Sequence, residues 1–336
     1  MLQPDDPVYI LLATYNGERF LPAQIDSLLA QDDPDWLLLV RDDGSTDRTQ
    51  EILSQAARSD RRVRLLRSGT GRLGSTGSFF ELMQQAMSEG ARYFALCDQD
   101  DVWLPQKLSL MRLAMHDLEG VAGRDAALLC WSDLSWIDAD GRTLADSHFR
   151  RAGAAAALSG PGPWLLAMNV VPGCAMLGNR ALLEAALPQP PGVDHHDWWL
   201  ALVAAAAGHV RVLDMPLAAY RQHLGNAVGA ASPQAKLIQA LRSPAALPAR
   251  GRTTYWQAVA NARHLYRRLG RDRLPPAWRH AVEHAVQELG AASRPRRLLA
   301  VIRGPVRRIG WWRNLLMLVS AIGPEKKPET DHGGLA

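Results

Sequence analysis

A chain of 336 residues, 47% of them hydrophobic, has room for one large α/β domain plus an appendage, or for two domains, with an ordinary globular core. Its three cysteines, Cys97, Cys130 and Cys174, stand apart with no C-x-x-C spacing, which argues against a disulfide framework and suits a reducing compartment. The net charge of +4 conceals a division: residues 1–230 hold 19 Lys and Arg against 28 Asp and Glu, residues 231–336 hold 19 against 6. An acidic body with a basic tail points to a negatively charged partner surface, nucleic acid or anionic lipid. Met1 to Pro7 carries two acids and no basic stretch, so no secretory signal is expected. No apolar run approaches the roughly 20 residues of a membrane-spanning helix. The expected location is the cytoplasm.

The first 120 residues alternate strand and helix signals. Val8 to Ala13 is a continuous apolar run, as in a strand covered on both faces. Glu18 to Ala30 predicts a helix with Leu21, Ile25, Leu28 and Leu29 on one face and Pro22 in its first turn. Trp36 to Val40 predicts a second strand, and Ser45-Thr46-Asp47 opens a helix through Ser54. Val63 to Leu66 is a third strand, Ser78 to Ser88 a third helix, and Tyr93 to Leu96 a fourth strand. Such β-α units imply a mostly parallel sheet flanked by helices. A helix follows over 104–119, then a strand over 127–131, a turn at Asp138 to Arg142, an apolar helix from Trp198 to Ala207 and a strand at Val210 to Leu213. Beyond about residue 230 only helical signals remain, with a break at Pro275-Pro276. The predicted organisation is a catalytic domain over 1–230, a basic helical extension over 231–323 and a disordered tail over 324–336.

The ends of three strands are polar. Ala13-Thr14-Tyr15-Asn16-Gly17 is a tight turn whose N–H groups can hold an anion or a nucleotide edge, or a plain β-α turn. Asp42-Asp43-Gly44-Ser45-Thr46-Asp47 offers carboxylates to a base N–H or a ribose hydroxyl, although a helix cap accounts for part of it. Asp98-Gln99-Asp100-Asp101 puts three carboxylates in four positions. They repel one another unless a cation or a bound polar ligand intervenes; a solvated turn with a helix cap is the other reading. Ligands of parallel sheets bind at the carboxyl ends of strands. Gly69 to Gly74 is a literal G-x-G-x-x-G, but it follows the third strand rather than the first and sits among acidic loops, which disfavours a nicotinamide or flavin site. Gly173 lies between apolar residues and either lets the backbone approach a ligand or marks a bend. Asp194-His195-His196-Asp197-Trp198-Trp199 opens the apolar helix, where a carboxylate is a simple cap or a positioned base. In Tyr220-Arg221-Gln222-His223 the imidazole suits a metal and the guanidinium a diphosphate.

In combination, and over roughly residues 8–228, these segments closely resemble the inverting family 2 glycosyltransferases, which have the nucleotide-sugar-binding GT-A fold. The resemblance implies that Thr14, Tyr15, Asn16 and Asp43 bind the nucleotide and that Asp98 faces the ribose. It places Asp100 and His223 on a divalent metal, Mg2+ or Mn2+, and leaves Asp101 to order the loop. The segment from Gly69 would cross the nucleotide pocket, with a polar residue near Ser75 to Ser78 touching the donor. Gly173 would face donor and acceptor, and Trp198 would offer a sugar platform beside Asp197. Arg221, and more weakly Asn226, would meet the diphosphate. Asp197 is the implied general base in preference to Asp194, although the family's Glu-Asp is His196-Asp197 here. The His195–His196 pair is assigned to packing or acceptor contacts. The combination looks most like the rhamnosyltransferase-like branch, with a dTDP- or UDP-sugar donor, dTDP-rhamnose first. The implied acceptor is a glycan or polyprenyl-linked hydroxyl in surface polysaccharide synthesis. A nucleotidyltransferase or a non-catalytic nucleotide-sugar-binding protein are the alternatives. The former would carry a basic Gly-rich loop after the first strand, where Thr14 to Gly17 supplies none.

In the basic tail, residues 294–323 mix arginines with tryptophans and leucines. Such a segment either lies on an anionic bilayer at the inner face of the membrane or packs as a helical pair with a solvated basic face. No nucleic-acid module accompanies the charge, and no nucleic-acid partner is expected.

Overall fold

The computed structural model describes residues 6–66, 71–223 and 247–322. They fall into two compact units, one built from residues up to 161 with 169–189 and 194–223, the other from 162–168, 190–193 and 247–322. Gly69, Thr70, Asn226 and the tail 324–336 lie outside the described residues.

The first unit is an α/β structure around one sheet with strand order β3-β2-β1-β4-β8-β6-β9-β5 and β7 paired to β6. Its strands are β1 Val8–Thr14, β2 Trp36–Asp42, β3 Val63–Leu65, β4 Tyr93–Asp98, β5 Val102–Trp103, β6 Leu129–Ile137, β7 Thr143–Ala145, β8 Met176–Asn179 and β9 Val210–Arg221. β3, β2, β1 and β4 run parallel, as the alternating signals predict. Helices α1 Leu21–Leu29, α2 Thr49–Ser59 and α3 Gly74–Ser88 connect them, and α4 Lys107–Ala122 follows β5. The buried Val8, Ile10, Leu12, Leu38, Val40, Ala95 and Cys97 pack in one core with Leu21, Ile25 and Leu28 of α1. The register pairs Thr14 with Asp42 and Ala13 with Asp98, so the three polar loops emerge level at one sheet edge.

Elsewhere tertiary pairing overrides the local pattern. β8 has no clear signal, yet it pairs antiparallel with both β4 and β6. Gly178 permits this, since a Cβ there would stand 2.6 Å from the Phe94 ring. β9 continues eight residues beyond the predicted Leu213, because β6 and β5 supply ladder partners across Asp214-Met215-Pro216, with irregular register at Pro216. α2 begins at Thr49 rather than Ser45, because Ser45 and Asp47 bond within the loop instead of entering the helix. The apolar α7, His196–Ala206, is buried along nearly its whole length, and Trp199 Nε1 donates to the Ala186 carbonyl at 2.9 Å.

The second unit is helical: α8 Leu247–Leu269, α9 Pro276–His284 running into a π turn at Ala285–Leu289, α10 Arg294–Arg303 and α11 Trp311–Ala321. Tyr255, Val259, Ala262, Trp278, Val282 and Leu289 form its core, and the Tyr255 hydroxyl donates to the Leu289 carbonyl at 2.7 Å. Arg297 Nε donates to the Ala321 carbonyl at 2.8 Å and joins α10 to the end of α11. Among the described residues no helix is long and apolar enough to cross a membrane.

Candidate active site

The loop after β1 is locked by its neighbours. Gln99 pairs with Tyr15 twice, its Oε1 accepting from the Tyr15 N–H at 2.9 Å and its Nε2 donating to the Tyr15 carbonyl at 3.0 Å. A Cβ at Gly17 would run into that Gln99 carboxamide and displace the bridge to Tyr15. Thr14 is buried and its hydroxyl donates to Asp42 Oδ1 at 3.1 Å. Asn16 adopts φ 46°, a conformation asparagine tolerates, and its Oδ1 accepts from the Thr46 N–H at 2.9 Å. Its side chain thus staples two loops. The Tyr15 ring carries the exposed Arg72 guanidinium at 3.8 Å, which makes a flat cationic ledge.

The two acids closing β2 differ. Asp42 accepts from Thr14, from the Ser45 N–H and hydroxyl, and from Gln50. Asp43 is 3% exposed and accepts from Arg41 Nη1 at 2.5 Å and from the N–H groups of Leu73 and Gly74 at 2.7 and 2.9 Å. Burial opposes its ionisation, but the Leu73 N–H, Arg41 and the Gly74 N–H outweigh burial and hold its carboxyl below the usual value. The buried Arg41 also binds Glu81, Ser78 and the Gly71 carbonyl. Asp43 therefore anchors the start of α3, and Ser78 is engaged by Arg41.

The loop after β4 has the opposite character. Asp98, Asp101 and Cys174 place ligand atoms within 4.8 Å of one another. Burial, then the charges of Asp101, Asp100 and Asp197, push the Asp98 carboxyl well above the usual range. Burial and Asp100 raise Asp101 to about 7. Asp101 Oδ1 accepts from the Arg221 N–H at 3.0 Å, while its buried Oδ2 has no N–H or O–H partner. A buried carboxylate left mainly with the weak Cys174 thiol as a further donor, among other acids, fits a hard cation. β9 brings His223 back over this loop, with Nε2 2.7 Å from Asp100 Oδ2 and its ring against Phe20 at 4.6 Å.

Two expected ligands are placed otherwise. The buried Arg221 guanidinium donates to the carbonyls of Asp100, Asp138 and Ala139, so it ties the acidic loop to the β6–β7 turn. Trp198 is only 7% exposed, so its indole packs inside the unit and offers no open platform.

Asp197 lies in the first turn of α7, and its Oδ1 accepts from Asn169 Nδ2 at 3.2 Å. Gly173 begins a 3₁₀ turn, Gly173–Ala175; a Cβ on it would meet His196 Nε2 at 3.3 Å and the Asp197 Cβ at 3.4 Å. Its bareness thus lets the turn close on the start of α7. His196 stacks on Phe79 at 4.0 Å, and burial lowers its pKa to about 4. It is a neutral packing residue, whereas Asp194 lends its backbone carbonyl to Thr76. Asn169, Gln99, Arg72 and Lys107 escape sequence reasoning. Gln99 and Arg72 carried a signal, their places inside the acidic and glycine-rich motifs.

Residues 9–125 match the model of glycosyl transferase family 2. The dTDP-rhamnosyl transferase RfbG of Shigella flexneri is 26% identical over 231 residues, covering 65% of this chain and 74% of that one. The UDP-Glc:alpha-D-GlcNAc-diphosphoundecaprenol beta-1,3-glucosyltransferase WfgD of Escherichia coli is 34% identical over 103 residues, 31% of this chain and 38% of its own length. Staphylococcus aureus TarS 1–349, solved with UDP-GlcNAc, superposes with a TM-score of 0.54 at 16% identity, over 94% of this chain and 90% of that one. The mannosyltransferase PcManGT of Pyrobaculum calidifontis, solved with GDP-Man and Mn2+, gives 0.52 at 17% identity over 88% and 74%. The structural likenesses define a GT-A fold. Over residues 9–125 the chain is similar to glycosyl transferase family 2, and over 231 residues to the dTDP-rhamnosyl transferase RfbG.

Proposed function

We propose that the chain transfers a sugar, with inversion, from a nucleoside diphosphate donor to a hydroxyl of a glycan or polyprenyl-linked acceptor in surface polysaccharide synthesis. The carrying observation is the convergence of Asp100 with His223, 123 residues apart, beside the half-buried Asp98 and the buried Asp101. Asp100 and His223 would hold Mg2+ or Mn2+, and Asp98 would meet the ribose. When bound, such a cation offsets the charge that develops on the departing diphosphate. Asp197, oriented by Asn169, accepts the acceptor proton as that oxygen attacks the anomeric carbon opposite the leaving group. Tyr15 and Arg72 wall the nucleotide pocket, Thr14 and Asn16 fix its loop, and Asp43 steadies Leu73 and Gly74 behind it. Gly173 lets its turn close against Asp197 on the acceptor side, and Arg221 holds the acidic loop in place.

Likeness to RfbG favours dTDP-rhamnose as donor, and likeness to WfgD favours a lipid-linked acceptor. Leu299 and Ile302 of α10 and Leu315, Val319 and Ile322 at α11 are exposed, beside exposed Arg294, Arg303 and Arg307. An apolar face flanked by arginines suits the anionic inner face of the cell membrane, where a polyprenyl acceptor would lie. The test is hydrolysis and transfer with a panel of dTDP-, UDP- and GDP-sugars, with and without Mn2+ or Mg2+. Metal-dependent turnover of dTDP-rhamnose supports the full assignment, turnover of another donor corrects the sugar, and inertness toward every donor overturns it.

A further inference from the structure

Lys107, the first residue of α4, is 1% exposed, a rare place for an ammonium. Its Nζ donates to the Cys174 carbonyl and stands 3.8 Å over the Trp103 ring. Among the described residues no ion pair joins it to a carboxylate, yet Asp98 and Asp101 lie within Coulombic reach. A buried amine, which burial lowers to a pKa of about 8, thus sits behind a cluster whose Asp101 Oδ2 has no N–H or O–H partner. The carbonyl it grips belongs to the turn Gly173–Ala175, which abuts Asp197.

A buried cation in this place has two effects of opposite sign. It offsets repulsion among the carboxylates when no metal is present, and it repels a divalent ion that comes to the same carboxylates. A residue that merely filled space would have only the first kind of effect, a loss of stability on removal.

We propose that Lys107 is a positioning residue and internal counter-cation, which holds the acidic loop and the Gly173–Ala175 turn together without metal and sets how tightly the loop takes a divalent ion. This rests on the proposed role of that loop as the metal site. Lys107→Gln keeps a donor for the Cys174 carbonyl and removes the charge, whereas Lys107→Arg keeps the charge. Both would be compared with the wild-type chain by thermal melting in EDTA and by Mn2+ titration calorimetry, with and without saturating dTDP. Lys107→Gln is expected to melt lower in EDTA and to bind Mn2+ more tightly, by about fivefold or more for one unit charge removed at this range. Lys107→Arg should bind Mn2+ as the wild type does. If Lys107→Gln folds only when Mn2+ is added, the proposal stands. Unchanged or weaker Mn2+ binding, or no folding with or without Mn2+, overturns it. Failure of the wild type to bind Mn2+ in either condition overturns the metal assignment itself, and Lys107's role with it.

Discussion

At the end of β2, the Asp43 carboxylate is surrounded by donors: Arg41 and two backbone N–H groups. At the end of β4, the half-buried Asp98 and the buried Asp101 lie beside other acids, with few donors to meet them. The first loop keeps its charge below the usual carboxylate pKa, whereas burial and repulsion drive the second above it. Both are runs of aspartate after a buried strand, so acidity alone does not mark a cation site. What marks it is acidity whose donors are missing. In the proposed function the donor-rich loop gives support and the donor-poor one receives the incoming ligand.

Substitutions can break this contrast, and the largest effects belong to the donor-poor side. Asp100→Ala should abolish metal-dependent turnover, and Asp197→Asn should cost about 10²–10⁴ in rate, as for loss of a general base, with little change in melting temperature. A smaller loss at Asp100 than for Asp101→Ala would exchange their assigned roles. On the donor-rich side Asp43→Ala should act on stability instead. It strips one carboxylate from the buried Arg41, at a cost of roughly 3–5 kcal/mol in urea unfolding. Mn2+ binding should be unchanged; a parallel loss of metal affinity would dissolve the distinction between the loops.

His196 sharpens the comparison through pH. Its pKa falls from 6.5 to about 4 on burial against Phe79, so the unfolded chain binds a proton that the folded chain refuses. The stability of the neutral form is fully present above about 6.5 and is lost as pH falls toward 4, by roughly 3 kcal/mol across the window. Urea midpoints at several pH values should show this slope, and His196→Phe should flatten it. The smallest effect on the transfer chemistry is expected in the helical unit. Leu315→Glu with Val319→Glu should lower binding to phosphatidylglycerol vesicles several-fold and leave turnover of a water-soluble acceptor unchanged. Equal binding by the variant would remove the membrane from the proposal.

Much of the sheet was legible from local pattern, as were the polar loops that meet at one sheet edge. Val8 to Ala13, Trp36 to Val40 and Tyr93 to Leu96 are continuous apolar runs, and each is a buried strand ending in the loop that carries polar residues. Lys107 was invisible because a lysine in a first helical turn looks like solvent-facing surface. Asn169 lies 28 residues from Asp197 with no pattern linking them. Trp198 and Arg221 carry the right chemistry for sugar and diphosphate, but packing places the indole inside and sets the guanidinium on carbonyls.

By itself the sequence determined the α/β class, the loops that meet at one sheet edge and the residue types gathered there, because hydrophobic period and strand-end composition are local properties. Only the tertiary structure decided which aspartate is rich in donors and which is poor in them, that β9 returns His223 to Asp100, and that Lys107 lies beneath the acidic loop. Hydrogen-bond saturation, desolvation and charge proximity depend on partners far away in the chain, and only the folded sheet brings those partners within reach.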